Sequence, residues 1–254
     1  MAIADEPLPA GGAKRTQKDI FPRGSITKRV SGSVGSWARP ASAARTYGWH
    51  RAEVFTAVPG GVYSSVDIAT PEACRDAVAA CVQRFGRLDV LVNAAGFHQM
   101  RHTTAVTDED WDYDLAVNLN GPFYLCRAAL PHLLETAGNI VNVASIAGVE
   151  GEVYSAGYCA AKHGLIGLTR ALAVEYTKEK LRVNAVCPGG MLTAQVTEFA
   201  APENADWDLI MRIAAPRGFM EPRDVANVIA FLASDDAAAI HGSVYRVDNG
   251  KGPA

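Results

Sequence analysis

The chain has no Cys-x-x-Cys pair, no long apolar run, and no acidic residue between Asp19 and Glu53. Each absence excludes something. The five cysteines (Cys74, Cys81, Cys126, Cys159 and Cys187) are odd in number and widely spread. That spacing argues against a zinc site or a disulfide framework and fits a reducing cytoplasm. No stretch approaches the roughly 18 apolar residues a membrane helix needs. The opening Met1-Ala-Ile-Ala-Asp-Glu-Pro7 lacks the basic and apolar regions of a signal peptide. The expectation is a cytoplasmic protein with no metal and no membrane contact. A net charge of −3 gives no global case for binding nucleic acid. We found no internal repeat.

What is present is unevenly distributed. Residues 1–60 hold nine Lys/Arg against four Asp/Glu, whereas the remainder holds 15 against 23. From about residue 62 the text becomes regular. Val62-Tyr-Ser-Ser-Val-Asp67 reads as a strand, being rich in β-branched and aromatic residues. Thr70-Pro71-Glu72 opens a helix with Thr as N-cap, and Gly86 closes it. Ala73, Ala77, Val78, Cys81, Val82 and Phe85 recur on one face between them. Leu88–Asn93 is an apolar run suited to a strand buried on both faces. Thr107-Asp-Glu-Asp110 starts a helix with a capping box. Ile140–Ser145 and Arg182–Cys187 read as strands, 158–178 and 222–232 as helices, and Ser243–Val247 as a last strand. Strands alternating with helices of 12 or more residues build βαβ units around a parallel sheet. The expected fold is α/β, a doubly wound, Rossmann-like parallel sheet in a single domain over residues 1–254, with an atypical N-terminal quarter.

The sharpest chemical signal is Tyr158-Cys-Ala-Ala-Lys162, thirteen residues after Ser145, which ends an apolar strand. A spacing of four places Tyr158 and Lys162 on one helix face, a turn apart. An ammonium beside a phenol favours phenolate and lowers a pKa otherwise near 10, which suits proton transfer near neutral pH. The Ser145 hydroxyl can hydrogen-bond a substrate oxygen as charge develops on it. Tyr-x-x-x-Lys is a weak signal on its own, because Tyr176-Thr-Lys-Glu-Lys180 repeats it. That second copy reads as a solvated helix end. Tyr158, by contrast, lies between a strand ending in Ser145 and one ending in Cys187-Pro188-Gly189.

Asn93-Ala-Ala-Gly96, Asn118-Leu-Asn-Gly121, Ser145, Tyr158-x-x-x-Lys162 and Pro188-Gly189-x-x-x-Thr193 occur in the order of the short-chain dehydrogenases/reductases. Residues 62–254 resemble that family. The resemblance implies interconversion of a small-molecule secondary alcohol and ketone with NAD or NADP. It makes Tyr158 the general acid and base, with Lys162 lowering its pKa and holding the nicotinamide ribose. Ser145 would orient the substrate oxygen, and Asn118 would anchor a water in a proton relay. Asp67 resembles the residue that meets the adenine. Asn93, Ala94 and Gly96 resemble the turn on the adenosine side, and Pro188, Gly189 and Thr193 the clasp on the nicotinamide. Each also has a plainer reading. Asp67 can cap the helix after it, Asn118 can bend a helix, and Gly96 can serve a tight turn. His98 reads as a solvated loop residue and Cys159 as a buried thiol. The resemblance further implies a homotetramer or homodimer, with Ala160, Ala161, Gly164 and Gly167 permitting close helix approach between subunits.

One element is missing. Pyrophosphate binding in this family needs G-x-x-x-G-x-G after the first strand, and none of the 23 glycines forms it. The nearest remnant is Val30-Ser31-Gly32-Ser33-Val34-Gly35. Residues 1–60 are a shifted reading frame, a divergent half-domain, or an accessory segment. A rival function is therefore a non-catalytic member of the fold that no longer binds cofactor. Neither the substrate nor the choice of NAD over NADP is legible, because the lid residues 190–217 are generic and the ribose-reading position falls in the altered stretch.

Overall fold

A computed structural model describes residues 52–54, 64–193, 196 and 199–252. The calls on the rest of 1–60, including Gly32 and Gly35, lie outside the described residues.

Two short strands come first. β1 (Ala52–Val54) pairs antiparallel with β2 (Ser64–Val66), with Glu53 opposite Ser65. This corrects the expectation that 62–67 joins the parallel sheet. A parallel return needs a crossover of a dozen or more residues, and too few separate Val54 from Ser64.

Four strands then form the parallel sheet in the order β3 (Val90–Asn93), β4 (Asn139–Val143), β5 (Arg182–Pro188), β6 (Val244–Val247). Helices cover both faces. Ile140 and Val183 pack with Val78 of α1 (Pro71–Phe85), Leu133 of α3 (Gly121–Thr136) and Leu172 of α4 (Ala156–Glu175). Val141 and Val186, on the opposite side of the pleat, pack with Val225 and Leu232 of α6 (Pro222–Ala233). Successive strand residues point to opposite faces, so β4 and β5 interleave the buried Asn139, Asn142 and Asn184 with apolar side chains that fill both layers. Burying one such side chain contributes about 1.5–3 kcal/mol. The described residues also form α2 (Asp108–Leu115) and the short α5 (Trp207–Met211). Among the described residues no helix is long and apolar enough to cross a membrane.

Local signals behaved unequally. Thr107 makes the expected box: its side chain accepts from Asp110 N–H while the Asp110 carboxylate accepts from Thr107 N–H. Gly86 ends α1 in the left-handed region at φ 75°, which glycine adopts without penalty. Thr70 precedes α1 but does not cap it; its hydroxyl donates to Asp67 O instead. The buried face of α1 is Cys74 and Val78, whereas Phe85 is 52% exposed. β3 is not buried on both faces, since Val92 is 40% exposed. Among the described residues it has a strand neighbour on one side only.

Candidate active site

The C-terminal ends of β3, β4 and β5 lie side by side, where open parallel sheets bind ligands. Ser145 follows β4 in extended backbone, buried, its Oγ accepting from Ala147 N–H at 3.1 Å. A short 3₁₀ turn (Ile146–Gly148) then lies directly on α4. A Cβ at Gly148 would stand 2.7 Å from Lys162 O, so only glycine permits this approach. The contact brings Ser145 against the first turns of α4, close enough to the Tyr158 hydroxyl to lower its pKa. Lys162, one turn further, is 3% exposed. Its Nζ donates to Val143 O at 3.1 Å and stands 5.6 Å from the Tyr158 ring centroid.

Asn118 enters from a π-helical turn, Ala116–Asn120, between α2 and α3. Such turns insert one residue into a helix and recur at functional sites. Both Nδ2 protons of Asn118 are used, donated to Phe97 O and Asp114 O, and Oδ1 accepts from Phe97 N–H. Gly96 lies against the pair, for a Cβ there would meet Asn118 Oδ1 at 3.1 Å and Lys162 Nζ at 3.4 Å.

The other predicted positions separate. Ala94 and Gly96 are exposed beside β3. Asn93 points inward, donating to Asn142 Oδ1 at 2.8 Å and to Cys126 Sγ; only its backbone faces the site. Asn142 continues to Thr169, and Thr169 to Leu165 O, a buried polar chain the sequence reading missed. Asp67 accepts from Ala69 N–H and Thr70 N–H, the turn that leads into α1. Pro188 ends β5 buried, Gly189 N–H donates to Val247 O, and Thr193 N–H donates to Met191 O. α4 stops at Glu175 with Tyr176 as its C-cap, and Lys180 stands exposed in the turn beyond, so the second motif is the solvated helix end expected from the sequence.

Two of the four small residues assigned to subunit contact are used within the chain. Ala161 is fully buried, and a Cβ at Gly164 would meet Leu119 at 2.9 Å. Only Ala160 and Gly167 face outward.

Electrostatics correct the sequence expectation for Tyr158. In the chain alone, burial pushes its hydroxyl well above the ordinary phenol range, and nearby Glu152, Cys159 and Asp114 add to this. Ser145 works the other way. Burial also pushes Lys162 down to about 8, which weakens the ammonium on which the expected lowering depended.

Asp114 was not singled out in the sequence. It is 4% exposed, its Oδ1 has no hydrogen-bond partner, and Oδ2 fills the space a Cβ at Gly157 would occupy. Burial raises its pKa from 3.8 to about 6. The folded state thus holds this proton more tightly than the unfolded chain, so its contribution to stability is lost as pH rises from 3.8 through about 6. Asp114→Asn is expected to stabilise the fold above that window by up to about 3 kcal/mol. Urea unfolding at acid and neutral pH checks it; an equal effect at both would exclude ionisation as the cause.

The family described as enoyl-(acyl carrier protein) reductase matches residues 46–251. Meso-2,3-butanediol dehydrogenase of Serratia marcescens is 38% identical over 185 residues, covering 73% of this chain and 72% of that protein. Cyclohexanol dehydrogenase of an Acinetobacter species is 40% identical over 187 residues, with the same coverage. A crystal structure of a short-chain dehydrogenase/reductase from Burkholderia xenovorans superposes with a TM-score of 0.65 at 35% identity, over 73% of this chain and 72% of that one. With a parallel sheet, helices on both faces and this strand-end cluster, the chain belongs to the short-chain dehydrogenase/reductase family.

Proposed function

We propose that this protein is an oxidoreductase that interconverts a secondary alcohol and a ketone using NAD or NADP. The observation that carries the proposal is the Tyr158 hydroxyl on Ser145, with Lys162 one helical turn behind it at the strand ends. Tyr158 gives its proton to the carbonyl oxygen during reduction and takes it back during oxidation. Ser145 holds that oxygen, and Lys162 replenishes the proton and bonds the ribose. The cofactor, when bound, supplies or accepts the hydride. The described residues fit its nicotinamide end: Gly96 leaves a side-chain-free approach to Lys162, and Pro188 ends β5 with Gly189 and Thr193 following it. Alcohols of the kind named in the two dehydrogenases above support the substrate class.

The test is oxidation of NADH or NADPH with a panel of cyclic, vicinal and 3-oxo ketones. Turnover of any member supports the proposal, and none with either cofactor overturns it. One observation favours the non-catalytic alternative, the lack of G-x-x-x-G-x-G. Fluorescence titration separates the two, because saturable binding of NADH or NADPH removes that alternative.

Assembly as a homodimer or homotetramer is part of the same proposal. Trp111, Phe123 and Val174 leave apolar surface exposed on α2, α3 and α4, alongside Ala160 and Gly167. Light scattering at micromolar protein is expected to give two or four times the chain mass.

A further inference from the structure

We infer that His98 is a positioning residue for Tyr158, a neutral ring that fixes the plane from which the phenol meets Ser145. The inference rests on Tyr158 being the acid and base of the site. It replaces the reading of His98 as a solvated loop residue, because the structure half-buries this side chain.

The two rings lie 4.3 Å apart between centroids, tilted by 31°, a close stacked arrangement. The imidazole is itself held. Its Nε2 is 2.8 Å from Ser155 Oγ, and the Ser155 hydroxyl donates its single proton to Val153 O at 3.0 Å. Ser155 Oγ must then accept, so the proton of the neutral imidazole sits on Nε2. Ser155 is 3% exposed and lies three residues before Tyr158. The loop after β3 and the start of α4 are thereby pinned to each other through one histidine. Lys162 Nζ also lies over the phenol, 5.6 Å from its centroid, so Tyr158 has both a ring and an ammonium against it.

Neutrality is enforced by surroundings. Burial, Lys162 and Arg101 all disfavour the imidazolium and push His98 down to about 4. The charged or titratable groups acting on Tyr158 from elsewhere are Glu152, Cys159 and Asp114, all of which raise it. A cation at position 98 would be a new influence of opposite sign.

Three variants separate the ring from the hydrogen bond and from charge. His98→Phe keeps the ring, His98→Gln keeps a donor without it, and His98→Arg brings a fixed cation. His98→Phe should retain kcat within about threefold, whereas His98→Gln should lose about tenfold or more in kcat with little change in KM. In His98→Arg the pH limb of alcohol oxidation should move towards acid by about one unit. Equal kcat in the Phe and Gln variants, or an unmoved limb in a folded Arg variant, would overturn the inference. If His98→Arg does not fold, the Phe and Gln pair decides. Failure of the wild type to turn over any ketone would instead sink the functional proposal. Phenolate absorbance, taken as the difference from Tyr158→Phe, would then read the stack directly: an ionisation that His98→Arg lowers supports it, and one that does not move overturns it.

Discussion

Tyr158→Phe is expected to lower ketone reduction by about 10²–10⁴-fold, the range general acid catalysis supplies, while leaving the fold intact. The substitution removes one hydroxyl and little volume. A hydrogen bond of that hydroxyl is worth about 0.5–1.5 kcal/mol, and Ser145 keeps Ala147 N–H as a partner. A thermal melt within a few degrees of wild type, with turnover gone, is the anticipated pair of results. Retention of activity within about threefold would remove Tyr158 from the role of proton donor. Tyr176→Phe is the control and should change nothing. Direction matters as well. Because burial holds the Tyr158 proton on, the phenol form dominates at neutral pH and favours reduction, whereas alcohol oxidation needs phenolate and should accelerate as pH rises. Initial rates in both directions across the neutral-to-alkaline range check the sign.

Lys162→Met is expected to pull activity and stability in opposite directions. Lys162 is 3% exposed and its pKa falls from 10.5 to about 8. The folded state therefore binds this proton less tightly than the unfolded chain. Below about 8 the buried ammonium costs up to about 3 kcal/mol, a cost that fades as pH rises through 10.5. Methionine fills similar space without charge, so the variant should be more resistant to urea at neutral pH by one to a few kcal/mol. Activity should nevertheless fall by about 10²-fold or more, because Tyr158 loses its neighbouring donor. A variant that is both less stable and less active would mean that Lys162 holds the fold through Val143 O rather than serving the chemistry.

Much of the site was legible because it is local. Tyr158 and Lys162 share a helix face by spacing alone, and Ser145 ends a strand whose apolar run announces it. The Thr107 box and the Gly86 stop were readable for the same reason, since each depends on residues within a turn of one another. His98 was misread because nothing local shows that its loop folds back onto α4. Asp114 escaped notice because one more aspartate in an acid-rich helix looks like surface, and its burial depends on Gly157, distant in sequence. The expected lowering of Tyr158 failed for a related reason. Proximity to an ammonium is visible in a sequence, but desolvation of both groups is a property of the packed interior and opposes it. Asn93 illustrates the same limit, since alternation cannot tell which face of β3 meets Asn142 and Cys126.

By itself the sequence determined the parallel α/β architecture from β3 onward, the helix that carries Tyr158 and Lys162, and the choice of that pair over Tyr176 and Lys180. It also determined that no G-x-x-x-G-x-G occurs in the chain. The tertiary structure alone decided that Ser65 and Glu53 face each other across an antiparallel pair, that Ala161 and Gly164 are spent within one chain, and that a histidine lies on the phenol. Periodicity and spacing encode which residues share an element, through interactions closed within one turn or one pleat. Which elements then touch, and how much water they exclude from a hydroxyl or a carboxylate, is set by packing among segments tens of residues apart.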